Sequence, residues 1–256
     1  MKTLNQRINE SIYTNLDIDI YRDDIVRVLD ALNIKSQISV RYNDKTKIYE
    51  LWFQKSMLMI FINDAVTPEF PTKVCFKTNA GNPVLKFVIK NVNNTGFLKN
   101  VVIEDNYTLE LNYRWANTNY IDITNDLFDS VEFGKLYLVM TFAQQNIVDL
   151  SKLLLPELET FTVFDGIITF NPKQLTRTIK LFTSETSRHT PFLRVKNLPN
   201  TDVVEISSSG ESFYYSGLTK IFSEYKPNIR RCIVRLYFMD STSEHEKLFK
   251  RIITGK

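Results

Sequence analysis

QISVRYNDKTKIYELWFQKSMLMIFI, residues 37–62, is the stretch on which the fold turns. Ile38, Val40 and Tyr42 alternate with polar neighbours, the period of two expected of a half-buried strand. Asn43, Asp44, Lys45 and Thr46 form a turn, and residues 48–53 return as the second strand of a hairpin. Residues 57–62 are apolar without a break, which predicts a short central strand.

Working outward, the same reading places strands at residues 73–77, 84–92, 101–104, 107–115, 120–124 and 135–142. Turns are expected around Asn79–Asn82 and at Glu104, Asp105 and Asn106. The connections are short and hold no helices, which argues for meanders and hairpins. Before residue 37 two helices are expected. The first rests on a Thr3/Gln6 capping pattern with Leu4, Ile8 and Ile12. The second has Asp23 and Asp24 in its first turn and an apolar stripe of Ile25, Val28, Leu29 and Leu32.

The pattern shifts near residue 144. Residues 147–155 look helical and stop at Pro156. Residues 158–164 and 167–170 read as strands. Asn171 and Pro172 signal a helix start, with Leu175, Ile179 and Phe182 as its apolar face. Strands are expected at 192–196, 203–207 and 229–239, a helix at 218–225, and a last helix capped by Ser241 and Glu244. The expected fold class is therefore α+β: β-rich, with mainly antiparallel sheets, a short N-terminal helical segment and several helices in the C-terminal half. Two regions are expected, 1–144 mainly antiparallel β and 145–256 mixed α+β, with a soft boundary that also permits one continuous domain. No internal repeat is visible.

Composition narrows the function classes. The chain has 256 residues, 43% hydrophobic and 24% charged, with a formal charge of +3. These are ordinary globular values, too balanced to demand a polyanionic partner. Cys75 and Cys232 sit in apolar runs and read as small buried hydrophobes in a reducing compartment. The N-terminus does not read as a signal peptide, and the longest apolar run, 57–62, is too short to span a bilayer. The expected location is a cytosol, or a virion if the chain is of bacteriophage origin. Abundant Asn, Ile, Lys, Tyr and Phe with sparse Gly and Ala suit an AT-rich genome of that kind.

Catalytic machinery is hard to assemble from these residues. His189 lies in a polar loop with Ser184 and Ser187, neither on a glycine-flanked elbow, and His245 sits in the first turn of the last helix. Asp17, Asp19, Asp23 and Asp24 read as helix-start carboxylates. Asp122, Asp126 and Asp129 lack the glycine and spacing of a calcium loop. The 7 glycines make neither a P-loop nor a dinucleotide turn. No catalytic residue, metal site, cofactor or small-molecule substrate is expected.

Two contact surfaces remain as candidates. Lys173, Arg177 and Lys180 share one face of the expected 171–182 helix. Arg231, Arg235 and Tyr237 share one side of the expected 229–239 strand. From residue 145 on there are 16 basic against 12 acidic residues. These groups suit nucleic acid or an acidic protein partner, against the plainer alternative of a solvated face. Phe213, Tyr214 and Tyr215 cannot all be buried in extended chain and form a candidate protein interface. The expected function is a non-enzymatic structural or assembly protein acting through protein–protein contacts, such as a bacteriophage tail, neck or connector component, as a homo- or hetero-oligomer. The alternatives are a nucleic-acid-binding module and an enzyme with an unfamiliar carboxylate–metal site.

Overall fold

The computed structural model describes residues 19–63, 69–94, 96–128, 131–133, 135–156, 158–184, 193–208, 231–237 and 242–255. Helix α1 (Asp19–Ala31) leads into β1 (Ile38–Asn43), β2 (Ile48–Phe53) and β3 (Met57–Ile62). Then come β4 (Val74–Lys77), β5 (Val84–Ile89), β6 (Val101–Ile103), β7 (Thr108–Asn112), β8 (Tyr120–Asp122) and β9 (Glu132–Phe133). Strands β10 (Leu136–Thr141), β11 (Ile147–Leu150), β12 (Leu158–Phe164) and β13 (Gly166–Phe170) follow. Last are β14 (Leu175–Thr183), β15 (Leu193–Lys196), β16 (Asn200–Ser208), β17 (Ile233–Tyr237) and helix α2 (Ser243–Thr254).

These strands build a β-solenoid, and this overturns the expected antiparallel α+β fold. The chain coils, adding a strand to the largest sheet on each circuit and to the two smaller sheets on only some of them. The eight-stranded sheet runs β3-β5-β7-β10-β12-β14-β16-β17; a five-stranded sheet runs β1-β2-β4-β6-β9 and a four-stranded sheet β8-β11-β13-β15. Every pairing among the described strands is parallel except the β1–β2 hairpin, whose register runs from Ile38↔Phe53 to Asn43↔Ile48. Short connections here turn the chain onto the next face of the coil rather than back along its own sheet. Gln54, Lys55 and Ser56 join β2 to β3, which lie in different sheets.

The expected C-terminal helices are corrected too. Among the described residues there are two α-helices, and only α2 lies in the second half. The segment expected to be a helix at 147–155 is β11 followed by a turn, and the one expected at 171–182 is a turn followed by β14. Residues 57–62 form a strand as expected, but at the edge of the eight-stranded sheet rather than its middle. The helices expected at 3–12 and 218–225 lie outside the described residues.

Parallel stacking puts like side chains over like, and the core consists of these columns. Leu58, Leu85, Leu109, Leu138, Phe161, Ile179, Val204 and Val234 form one buried ladder. Ile60, Phe87, Leu111, Met140, Val163, Leu181, Ile206 and Leu236 form a second beside it. Circuit length is uneven: Thr160 pairs with Thr178, 18 positions on, whereas Val203 pairs with Ile233, 30 positions on. That unevenness removes any fixed sequence period.

Corners use left-handed backbone from a glycine-poor chain. Asn82, Asn100, Asp165 and Asn197 all have positive φ; the first three sit one or two residues before a strand, and Asn197 directly follows β15. Asn and Asp tolerate this region better than other side chains with a β-carbon. At the β12–β13 corner Asp165 (φ 56) is followed by Gly166 (φ 90). A β-carbon on Gly166 would crowd Ile168 and Phe142 as well as force that φ.

Both helices pack on the core. Ile25, Val28 and Leu29 of α1 are buried in the common core, as are Phe249 and Ile253 of α2. Helix α2 starts at Thr242, whose Oγ1 accepts from the His245 amide, and stops at Gly255 in left-handed conformation.

Candidate interaction surface at the open sheet edge

A sheet edge exposes a row of unpaired amides and carbonyls, and natural proteins usually cover or disrupt it. The C-terminal edge of the eight-stranded sheet is covered. Helix α2 packs on β17, and Glu246 Oε1 accepts the Leu236 amide at 3.2 Å.

The N-terminal edge, β3, is arranged differently. Among the described strands it pairs only with β5. The Ser56 and Ile62 carbonyls accept from Val84 and Lys90 of the β5 side, at 2.7 and 2.8 Å. In a parallel pair successive residues point their backbone groups to opposite sides. The even-numbered residues of β3 therefore face β5, and the backbone groups of Met57, Met59 and Phe61 face the open edge. Their side chains stand on the outer face, 41%, 38% and 48% exposed, while Leu58, Ile60 and Ile62 are buried in the core. No charge, proline or bulge interrupts β3.

The five-stranded sheet reaches one strand further, because hairpin strand β1 extends it past β2. The mismatch leaves a cleft of about 820 Å3 at the corner between the hairpin and the start of β3. Ile38 and Arg41 of β1, Trp52 of β2, Lys55 of the connecting turn, Met57 of β3 and Asn79 line it. The Arg41 guanidinium lies 5.0 Å from the centre of the Trp52 ring, a cation–π geometry. Trp52 is fixed from behind, since its Nε1 donates to Glu50 Oε2 at 3.0 Å. Glu50 also accepts from Asn43 Nδ2 at 2.9 Å. Burial works to raise the Glu50 carboxyl, but those two donors, with Lys77 and Arg41 nearby, hold it below its usual range. Lys77 in turn pairs with Glu104.

The basic residues singled out in the sequence are placed by strands and not by a helix. Lys173 is exposed in the turn before β14, its amide donating to Asn171 Oδ1. Arg177 Nη1 pairs with Glu159 Oε1 at 2.9 Å. Glu205 takes both Lys180 (3.2 Å) and Arg235 (3.0 Å), with the Tyr237 hydroxyl at 3.5 Å. Arg231 lies exposed just before β17. The structure thus brings Lys180, Arg235 and Tyr237 together around one carboxylate. Phe213, Tyr214, Tyr215 and His189 lie outside the described residues.

A second hollow, about 310 Å3, opens at the β12–β13 corner. Buried Asp165 accepts from the Ser184 amide and hydroxyl at 2.7 and 2.6 Å, with Arg114 Nη2 at 3.9 Å. These bonds fasten the end of β14 to the corner beneath it. Asp122 pairs with Lys152, and no cluster of three or more His, Cys, Asp or Glu suited to a metal occurs among the described residues.

Sequence reasoning missed Arg41, Trp52 and Lys55. The hairpin register, which sets Ser39 against Trp52 and Arg41 against Glu50, was the available signal, because it puts Arg41 within reach of the indole. No described helix is long and apolar enough to cross a membrane. Neither a protein-family model, nor a curated protein, nor a solved structure matches this chain.

Proposed function

We propose that this protein is a non-enzymatic assembly component that joins a protein partner through the N-terminal edge of its solenoid. The observation that carries this reading is β3: an edge strand that pairs on one side only among the described strands, with three exposed large apolar side chains and no charge, proline or bulge along it. An edge of this kind left bare is an aggregation hazard, so its persistence argues for a partner that covers it. Asymmetry adds support. One end of the eight-stranded sheet is closed by α2 and the other is left to accept a strand. A stiff stack with one adhesive end suits a part that enters an assembly from one side, as virion tail, neck and connector components do.

The test is Met59→Lys, which places a charge in the middle of the exposed row without touching the core. Native mass spectrometry and sedimentation velocity should show complexes of the unaltered protein, with itself or with a co-expressed partner, that the variant loses at an unchanged unfolding midpoint. A unaltered chain that stays a monodisperse monomer and joins no co-expressed partner refutes the proposal.

A further inference from the structure

We infer that the cleft beside β3 receives an extended peptide segment of a partner protein, and that the segment carries a carboxylate. This rests on the assembly reading above and names the chemistry of what docks. Three features converge. The first is backbone: Met57, Met59 and Phe61 offer amides and carbonyls toward the open edge, so an incoming strand can continue the sheet. The second is room, since the hairpin overhangs the start of β3 and leaves about 820 Å3 there.

The third is charge. Among the described residues, the charged ones lining the cleft are Arg41 and Lys55, both cations. Neither is ion-paired among the described residues. Elsewhere the molecule pairs its bases readily: Lys77, Lys86, Lys99, Lys152, Arg177, Lys180 and Arg235 all meet carboxylates. Arg41 is also held in place, stacked on an indole that Glu50 anchors, which lowers the cost of ordering it around a ligand. A guanidinium so placed, with a lysine lining the same cleft, fits a carboxylate. The apolar row of Met57, Met59 and Phe61 calls for aliphatic side chains at alternate positions of the same strand.

The probe is a fluorescein-labelled hexapeptide, acetyl-Thr-Val-Asp-Val-Thr-Val-amide. Its companions are an Asp-to-Asn version and one N-methylated at alternate residues, all measured by fluorescence anisotropy against the full chain. The acidic peptide should bind. The Asn version should bind about fivefold more weakly, as should the acidic peptide to the R41Q/K55Q variant, and added salt should erase the difference. The N-methylated peptide should fail to bind. Equal affinity of the Asp and Asn peptides, or no binding of the acidic peptide, overturns the inference. If Met59→Lys abolishes native association while the peptides show no charge preference or do not bind, the inference falls and the assembly reading stands. Such a result, with dimers in native mass spectrometry, would give the edge to a second copy of this chain. If native association is absent altogether, the assembly reading itself fails.

Discussion

Phe161→Ala tests the solenoid at its middle. Phe161 is 1% exposed and lies in the ladder between Leu138 of β10 and Ile179 of β14, with Phe170 edge-on at 5.5 Å. Truncating a fully buried phenylalanine costs about 3–5 kcal/mol, the removed transfer free energy plus the cavity left behind. Against a total stability of about 5–15 kcal/mol that is a large fraction. For a chain of this size each kcal/mol moves the midpoint by about 2–4 °C, so a loss of about 10 °C is expected. Urea and thermal unfolding give the magnitude, and hydrogen exchange gives the location. In a solenoid each coil touches only the coils above and below. Protection should therefore fall in β10, β12 and β14, and hold in β3 and β5. A destabilisation below about 1 kcal/mol, or a loss of protection spread evenly over all strands, would refute the coil-on-coil account of the core.

Two further outcomes follow from the edges and the buried thiol. Glu246→Ala removes the acceptor for the Leu236 amide, so that amide should exchange faster and stability should drop by about 1 kcal/mol; unchanged exchange at Leu236 would show that the carboxylate does not cap the edge. Burial, helped by Glu104 and Glu50, pushes the Cys75 thiol up to about 12 from an ordinary value of 9.0. Because the folded value is the higher one, this contribution to stability is complete below pH 9 and is lost as pH rises toward 12. Cys75→Ala should flatten that part of the stability–pH curve, and Cys75 should resist thiol reagents at pH 8 until the chain is unfolded. Ready labelling of Cys75 in the folded protein would contradict its burial.

Strand positions were legible in the sequence, and strand direction was not. Alternation along β2 or β10 records which side chains point inward, and it is the same for parallel and antiparallel neighbours. Direction depends on which strand lies alongside, and the coil separates those partners by 18 to 30 residues of unrelated sequence. One local clue was present. The connection Gln54, Lys55, Ser56 has none of the residues that a tight hairpin turn demands, and none of the three has positive φ. Asn82, Asn100 and Asn197, by contrast, mark corners, so part of the asparagine abundance has a structural use beyond genome composition. β14 misled for a different reason. The ladder to β16 skips Arg177, and the buried positions run Thr176, Ile179, Leu181, Thr183, so a spacing of three precedes the spacing of two. That irregularity imitates a helical stripe. The β-branched Thr176, Thr178, Ile179 and Thr183 were the counter-signal.

The candidate site became visible only through a disagreement between sequence and structure at β3. A strand that is apolar at every position is the composition of one covered on both faces, and residues 57–62 have that composition. The fold covers one face, burying Leu58, Ile60 and Ile62, and leaves Met57, Met59 and Phe61 about half exposed at the end of the sheet. Scattered exposed hydrophobics need no explanation, but three in a row on an edge that no described strand covers, next to a cleft lined by two cations without an ion pair among the described residues, do. The residue pattern of an interior strand at an exterior position is what remains when one member of a sheet is viewed without the strand that completes it. The expectation of a central strand and the finding of an edge strand are reconciled if the missing neighbour is supplied by another chain.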